Sequence, residues 1–207
     1  LSTDLLGEVI ENRKSFSGIN YLKASSERIF YWKKRLQNIS SDVLVGISWR
    51  SLLSTHSRNE HYMRASEIIP ILLSQDVTFV NLQYDECSEE LAEIEKYCPG
   101  KIINFSDFDQ FNDLDGVAAL MECLDLVVAP ATTVVELAGA LGRPTLLLSN
   151  SSELHWRKRE DGTDIWHRSI RHVEGRALGD KNSLADAAAA AVRAEVERLA
   201  HSGTSSA

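Results

Sequence analysis

The sequence predicts an α/β domain, a parallel sheet with helices on both faces. Three observations predict it. Short apolar runs rich in Val, Ile and Leu recur at 43–49, 77–82, 102–104, 125–129 and 145–148, as strands buried on both faces would. Segments with helical apolar spacing separate them. The stretch 124–148 joins two such strands through one helix, which excludes a hairpin and demands a right-handed βαβ crossover. Together these make a Rossmann-like arrangement.

Taken in order, residues 1–24 carry no clear period and are rich in Ser, Asn and charge; they read as a linker or the tail of something upstream. Residues 27–37 are helical, with Ile29, Phe30, Trp32 and Leu36 able to share a face. The first strand spans 43–49. A long polar loop follows, carrying Arg50, His56, Arg58, His61 and Arg64. A helix over 67–73 tolerates Pro70 only in its first turn. The second strand, 77–82, leads to a strongly polar surface helix over 88–97. A short strand at 102–104 precedes an acidic, aromatic loop and a helix over 114–124.

The centre of the chain comes next. Pro130 ends the strand 125–129, and Thr132 and Thr133 stand where a helix should start. Val134, Leu137, Ala138 and Leu141 recur at helical spacing. Gly142 sits at the C-terminal cap and Pro144 prevents restart. The turn 130–133 therefore lies at the carboxyl edge of a parallel strand and at a helix N-terminus, where open α/β sheets bind ligands and helix ends bind anions. After the strand 145–148 a loop carries Trp156 and Trp166, a strand covers 170–173, and Asn182 or Ser183 caps an Ala-rich helix running to about Leu199. The domain reading is a linker and connecting helix at 1–38, the sheet domain at 39–200 and a disordered tail at 201–207.

Composition bounds the function. A net charge of −8 argues against nucleic acid or an anionic membrane as the main partner. No apolar run approaches the ~20 residues that span a bilayer. Cys87, Cys98 and Cys123 have no Cys-x-x-Cys spacing, which fits free thiols in a reducing, cytoplasmic setting. There is no Gly-x-Gly-x-x-Gly after the first strand and no Walker lysine loop, which disfavours dinucleotide oxidoreductases and P-loop NTPases. The chain opens on Leu1 rather than Met and reads as a fragment.

Thr132, Thr133 and Glu136 form the sharpest constellation. Thr133-x-x-Glu136 fits a capping box, the commoner use of such spacing. The same residues would also serve a ligand: hydroxyls and first-turn amides for a diphosphate, and the carboxylate one turn on for a ribose diol. Arg50 and Arg58 follow the first strand at the same edge and would neutralise phosphate. Gln83 and Tyr84 end the second strand, where they would contact a base or simply cap the strand. His56 and Arg64 read as solvated loop residues, and His61 is evenly balanced. Asp107, Asp109, Asp113 and Asp115 fit no EF-hand and read as a solvated acidic loop; no metal site is expected. Trp156 and Trp166 read as packing residues in a loop on the ligand edge.

Val45-Gly-Ile-Ser-Trp-Arg-Ser51, Phe79-Val-Asn-Leu-Gln-Tyr84, residues 120–148 and Ile165-Trp-His-Arg-Ser-Ile-Arg171 together resemble the C-terminal half of GT-B glycosyltransferases, over roughly residues 21–173. The pattern is similar to bacterial tetratricopeptide-repeat-associated glycosyltransferase-like domains, to lipopolysaccharide heptosyltransferases and, more distantly, to O-linked N-acetylglucosamine transferase. The resemblance implies one Rossmann-like half of a two-half enzyme, binding a nucleoside-diphosphate sugar as substrate, with no metal and no other cofactor. Thr132, Thr133 and Glu136 would then hold diphosphate and ribose, Arg58 or Arg50 the phosphate charge, and Gln83 and Tyr84 would lie near the base. The partner would be an N-terminal acceptor-binding half, or upstream repeats of the same protein. Heptosyltransferase-like members carry Asp-Thr-x-x-x-His across the central turn; here those positions hold Ala131, Thr132 and Glu136. The Thr-Thr-x-x-acid pattern is closer to the N-acetylglucosamine-transferring branch. The alternative is a non-catalytic module for sugar-nucleotide sensing or protein interaction.

Overall fold

The structure, a computed structural model, describes residues 16–39, 43–52, 62–74, 77–150 and 152–204. Six strands form one sheet: β1 (Leu44–Ile47), β2 (Thr78–Asn81), β3 (Ile102–Ile103), β4 (Leu126–Pro130), β5 (Thr145–Leu148) and β6 (Ile170–Val173). Their order is β3-β2-β1-β4-β5-β6 and every pair is parallel. This is the α/β Rossmann-like order, in which the chain moves outward from β1 on one side and from β4 on the other.

The period of two along the strands sorts the core into two layers. Val45, Ile47, Phe79, Val128 and Leu148 join helices α2 (Ala65–Leu72) and α6 (Lys181–Thr204), through Ile68, Ile71, Leu184, Ala188 and Val192. Leu44, Val80, Val127, Ala129 and Leu147 face the other way, onto α1 (Ser26–Gln37), α4 (Leu114–Met121) and α5 (Thr133–Leu141). Helix α1, expected as a connecting segment, buries Trp32 and Leu36 in this second layer and packs on α4. Helix α3 (Ser88–Tyr97) has the expected bounds and buries only Ile94.

Helix α5 ends as the sequence predicts, on Gly142 in the left-handed region (φ 75°), whose N–H bonds the last turn. Three expectations need correction. Pro70 lies well inside α2, past the first turn, so its ring forgoes one helical hydrogen bond. Helix α6 is capped by Asp180, whose Oδ1 accepts from the Ser183 amide at 3.0 Å, while Ser183 Oγ accepts from the Arg176 amide. It also runs on to Thr204, past Leu199 and into the expected tail. Residues 1–15 lie outside the described residues, but 16–22 are tied to the body. The amides of Tyr21 and Leu22 donate to the Ala140 carbonyl at the end of α5, and the Arg168 amide donates to the Gly18 carbonyl. No described helix is long and apolar enough to cross a membrane.

Candidate functional site

The strand order reverses between β1 and β4. Outside the carboxyl ends of those two strands opens the crevice in which such sheets bind ligands. A cleft of ≈ 490 Å³ occupies it, walled by Ser51 and Leu52 after β1, Tyr84 after β2, and Ala131, Thr132 and Thr133 after β4. A second, mainly apolar cavity of ≈ 220 Å³ shares Tyr84, Phe111 and Thr133 with it and adds Leu82, Val117, Val134 and Leu137. The cleft has a polar floor at a helix end, and the adjoining slot is apolar.

The head of α5 differs from the expected capping box. Thr132, extended at φ −136°, is the N-cap residue, so the helix starts one residue early and Glu136 falls one place too far along to return to the cap. The Thr132 side chain makes no cap bond, and its buried Oγ1 has no partner among the described residues. The amides of Thr133 and Val134 have no preceding helical carbonyl to bond. The terminus therefore presents unbonded amides at the positive end of the helix dipole to a cleft whose wall also holds Glu153.

Glu136 turns instead to a buried network. Its Oε1 and Oε2 accept from Arg157 Nη1 at 2.7 Å and Nη2 at 3.3 Å, and His167 Nε2 stands 3.6 Å from Oε2. The Arg157 side chain is 9% exposed and forks onward, with Nε donating to Asp164 Oδ2 at 2.6 Å. Asp164 is fully buried; it also accepts from the Trp166 amide at 2.8 Å and lies 3.0 Å from His172 Nε2. Burial pushes the Asp164 carboxyl up, but the bonds from His172 and Arg157 pull harder and leave it below the usual carboxylate range. Glu136 behaves alike: burial raises it, and His167 and Arg157 together bring it below its ordinary value. Gly139 lets the His167 ring lie directly on α5, since a Cβ there would meet His167 Cγ at 2.5 Å. Sequence spacing does not reveal Arg157 or Asp164, because the contact joins Glu136 to a residue 21 positions away.

The remaining expected residues separate. Tyr84 lines both cavities, its hydroxyl 3.0 Å from Ser51 Oγ. Gln83 is buried and lines neither cavity. Its Oε1 accepts from Ser48 Oγ and the Trp49 and Arg50 amides, and its Nε2 donates to the Arg50 carbonyl and Asp85, which fixes the loop after β1. Arg50 pairs with Glu90 and Asp85, and these carboxylates raise its pKa above the ordinary guanidinium value against the cost of burial. Its charge is thus already neutralised. Arg58, His56 and His61 lie outside the described residues. Arg64 begins α2, its amide donating to Glu67. The acidic loop is engaged internally: Asp107 pairs with Arg35, Asp109 holds the amides of Phe111 and Asn112, and Asp113 caps α4 and pairs with Arg28. Trp166 packs edge-on against Phe16 and Trp156, as a packing residue would.

Comparisons with known proteins agree with this architecture. No protein-family model matches the chain. Protein FlbA of Caulobacter vibrioides is 32% identical over 151 residues, which are 73% of this chain and 25% of that protein. Among solved structures, a glycosyl transferase family 9 protein from Veillonella parvula superposes with a TM-score of 0.63 at 13% identity, over 88% of this chain and 54% of that one. The ADP-heptose lipopolysaccharide heptosyltransferase II of Escherichia coli gives 0.58 at 16% identity, over 86% and 54%. The chain thus spans about half the length of these two structures and a quarter of FlbA, and it shares the fold of one part of these glycosyltransferases.

Proposed function

We propose that the chain is the donor-binding half of a glycosyltransferase and takes a nucleoside-diphosphate sugar at the head of α5. One observation carries this reading: an uncapped helix terminus at the switch point of the sheet, opening onto a cleft whose neighbouring slot is apolar. That pairing suits a ligand with an anionic diphosphate and a flat, poorly hydrated base. Thr132, Thr133 and the first-turn amides hold the diphosphate. Glu136 accepts from the ribose hydroxyls, and Tyr84 borders the base. The phosphate role falls to the terminus and to Arg58 rather than Arg50, which would first have to leave Asp85 and Glu90. Gln83 shapes the wall instead of touching the base.

The chemistry is displacement at the anomeric carbon. The acceptor oxygen bonds C1, the bond from C1 to the diphosphate oxygen breaks, and the leaving group carries away the electron pair. The helix terminus stabilises the charge that develops on it. This reading assigns the acceptor and the catalytic base to a second half, so the chain alone binds donor and transfers no sugar. A cytoplasmic setting belongs to the same proposal, supported by the free thiols of Cys87, Cys98 and Cys123. So does kinship with N-acetylglucosamine-transferring enzymes, for which the Thr132-Thr133-x-x-Glu136 pattern speaks, and with repeat-associated glycosyltransferase-like domains.

Calorimetry with ADP, GDP, UDP and CDP, with and without EDTA, tests the reading. One of them should bind with an affinity on the order of 0.1 mM, unchanged by EDTA, because half a cleft leaves the ligand partly in water. Absence of binding by all four, or binding that EDTA abolishes, overturns it. A second reading, a non-catalytic sensing or interaction module, draws on Ala131, an apolar residue at the turn after β4 where heptosyltransferase-like members would carry an Asp. Sugar transfer by a longer protein that contains this chain would exclude that second reading.

A further inference from the structure

A buried ion network is an expensive way to hold a loop. Desolvating each charge costs several kcal/mol, and well-packed apolar residues often do as well. Glu136, Arg157, Asp164 and His172 nevertheless form such a chain, and it is asymmetric. The Asp164 and His172 side chains are wholly buried, Arg157 is nearly so, and the Glu136 side chain is 47% exposed. The buried end fixes the guanidinium plane, because Asp164 is itself held by His172 and by the Trp166 amide. The exposed end presents one carboxylate, one turn beyond Thr132 and Thr133, which line the cleft, while Glu136 itself stands outside that lining.

We infer that Arg157 is a positioning residue: anchored by Asp164 and His172, it sets the Glu136 carboxylate so that the lone pairs it leaves unused accept the two hydroxyls of a ribose diol. The stoichiometry allows this. A carboxylate offers about four acceptor sites, and Arg157 takes one on each oxygen. His167 Nε2, at 3.6 Å, stands beyond hydrogen-bond reach. A bidentate guanidinium fixes the plane as well as the place of the carboxylate, which a single ammonium cannot do. The inference rests on the reading of the cleft as a nucleotide site and adds to it the residue that makes the site ribose-selective.

The test compares each ribonucleoside diphosphate of the ADP, GDP, UDP and CDP panel with its 2′,3′-dideoxy form, by calorimetry. Five proteins are needed: wild type, Glu136→Gln, Arg157→Lys, Arg157→Gln and the double variant of Glu136→Gln with Arg157→Lys. Arg157→Lys keeps a positive charge beside Asp164, so the buried acid is not orphaned, and Arg157→Gln serves as a second variant; urea unfolding of each confirms a folded protein. Wild type should prefer ribose over dideoxyribose, by roughly 10-fold or more. Arg157→Lys should lose most of that preference, and should cost little more once Glu136 is already Gln, because the two act through one carboxylate. A merely structural role for Arg157 would leave the ribose-to-dideoxyribose ratio intact. The inference is overturned if Glu136→Gln abolishes the preference while both Arg157 variants keep it. If Glu136→Gln itself keeps the preference, the ribose role of Glu136 falls and the inference with it. If wild type binds none of the four, the nucleotide reading fails.

Discussion

Helices α4 and α5 lie in the same layer, start at the same edge of the sheet and begin in opposite ways. At α4, Asp113 accepts from the Gly116 amide at 3.0 Å and is itself paired with Arg28. That terminus is closed by the chain's own carboxylate. At α5 the N-cap side chain bonds nothing, and the acid of the first turn is held elsewhere by Arg157. Both heads carry the same partial positive charge. The difference teaches that the availability of a helix terminus to a ligand is decided by its unspent amides, not by the helix as such. It also shows why a Thr-x-x-Glu spacing could not decide the matter: a shift of one residue in the helix start takes Glu136 out of capping reach and leaves it to Arg157.

The sharpest way to break the contrast is to remove what holds Glu136. Arg157→Ala leaves Asp164 fully buried with, among the described residues, only His172 and the amides of Trp166 and His167 beside its carboxylate. Breaking a buried pair from one side typically costs about 3–5 kcal/mol, and urea unfolding should show a loss of that size. A loss under about 1 kcal/mol would mean that the network does not fix the α5 side of the cleft.

Acid should act on both heads, with an effect between that of Arg157→Ala and that of losing a single cap. Asp164, Glu136 and Asp113 all have folded pKa values below their ordinary ones. Such groups contribute stability above the unfolded carboxylate value of about 4, and the contribution is lost as pH falls through the lower folded values. The urea midpoint should therefore hold down to about pH 4 and fall below it. Salt separates the two regions. About 1 M NaCl shortens the screening length to about 3 Å and should erode the half-exposed Arg28–Asp113 contribution, leaving Arg157–Asp164 nearly intact. Equal salt sensitivity in Asp113→Ala and wild type would contradict this.

Next in size is Asp113→Ala at the closed head. The lost cap costs about 1 kcal/mol, and the solvent-screened pair with Arg28 adds little to it. Thermal unfolding should register the loss while nucleotide affinity stays put. A change in affinity would show that the two helix heads are coupled.

How much of this was legible in the sequence depends on the range of the interaction. The strands, the bounds of α3 and the end of α5 at Gly142 follow from local pattern and backbone chemistry, and the structure has them there. The parallel sheet followed from one joined strand-helix-strand stretch. Pro70 misled because tertiary burial of Ile68, Ile71 and Leu72 outweighs one lost hydrogen bond. The site was legible as a place and less so as a set of residues. Nothing near Arg50 in sequence announces Asp85 or Glu90 as its partners, and nothing near Glu136 announces Arg157. Charges compete for partners across the fold, and their spacing along the chain does not record who wins.

The smallest effect is the most discriminating, because it is an expected near-absence. Replacing an N-cap threonine by alanine ordinarily costs 0.5 to about 2 kcal/mol through the lost side-chain bond. Thr132 makes no such bond, and its buried Oγ1 has no partner among the described residues, so removing that oxygen removes a desolvated group rather than a contact. Thr133 is exposed in the first turn and is not the cap. Thr132→Ala and Thr133→Ala should each therefore change stability by less than about 0.5 kcal/mol, where the capping-box expectation for Thr133 was about 1. Binding is the other half of the measurement. Thr133→Ala should weaken inorganic pyrophosphate several-fold in calorimetry, since its hydroxyl and the first-turn amides face the same anion. If Thr132→Ala instead lowers stability by 1 kcal/mol or more, its hydroxyl closes the helix after all. Then α5 begins as α4 does, and the open terminus on which the nucleotide site depends does not exist.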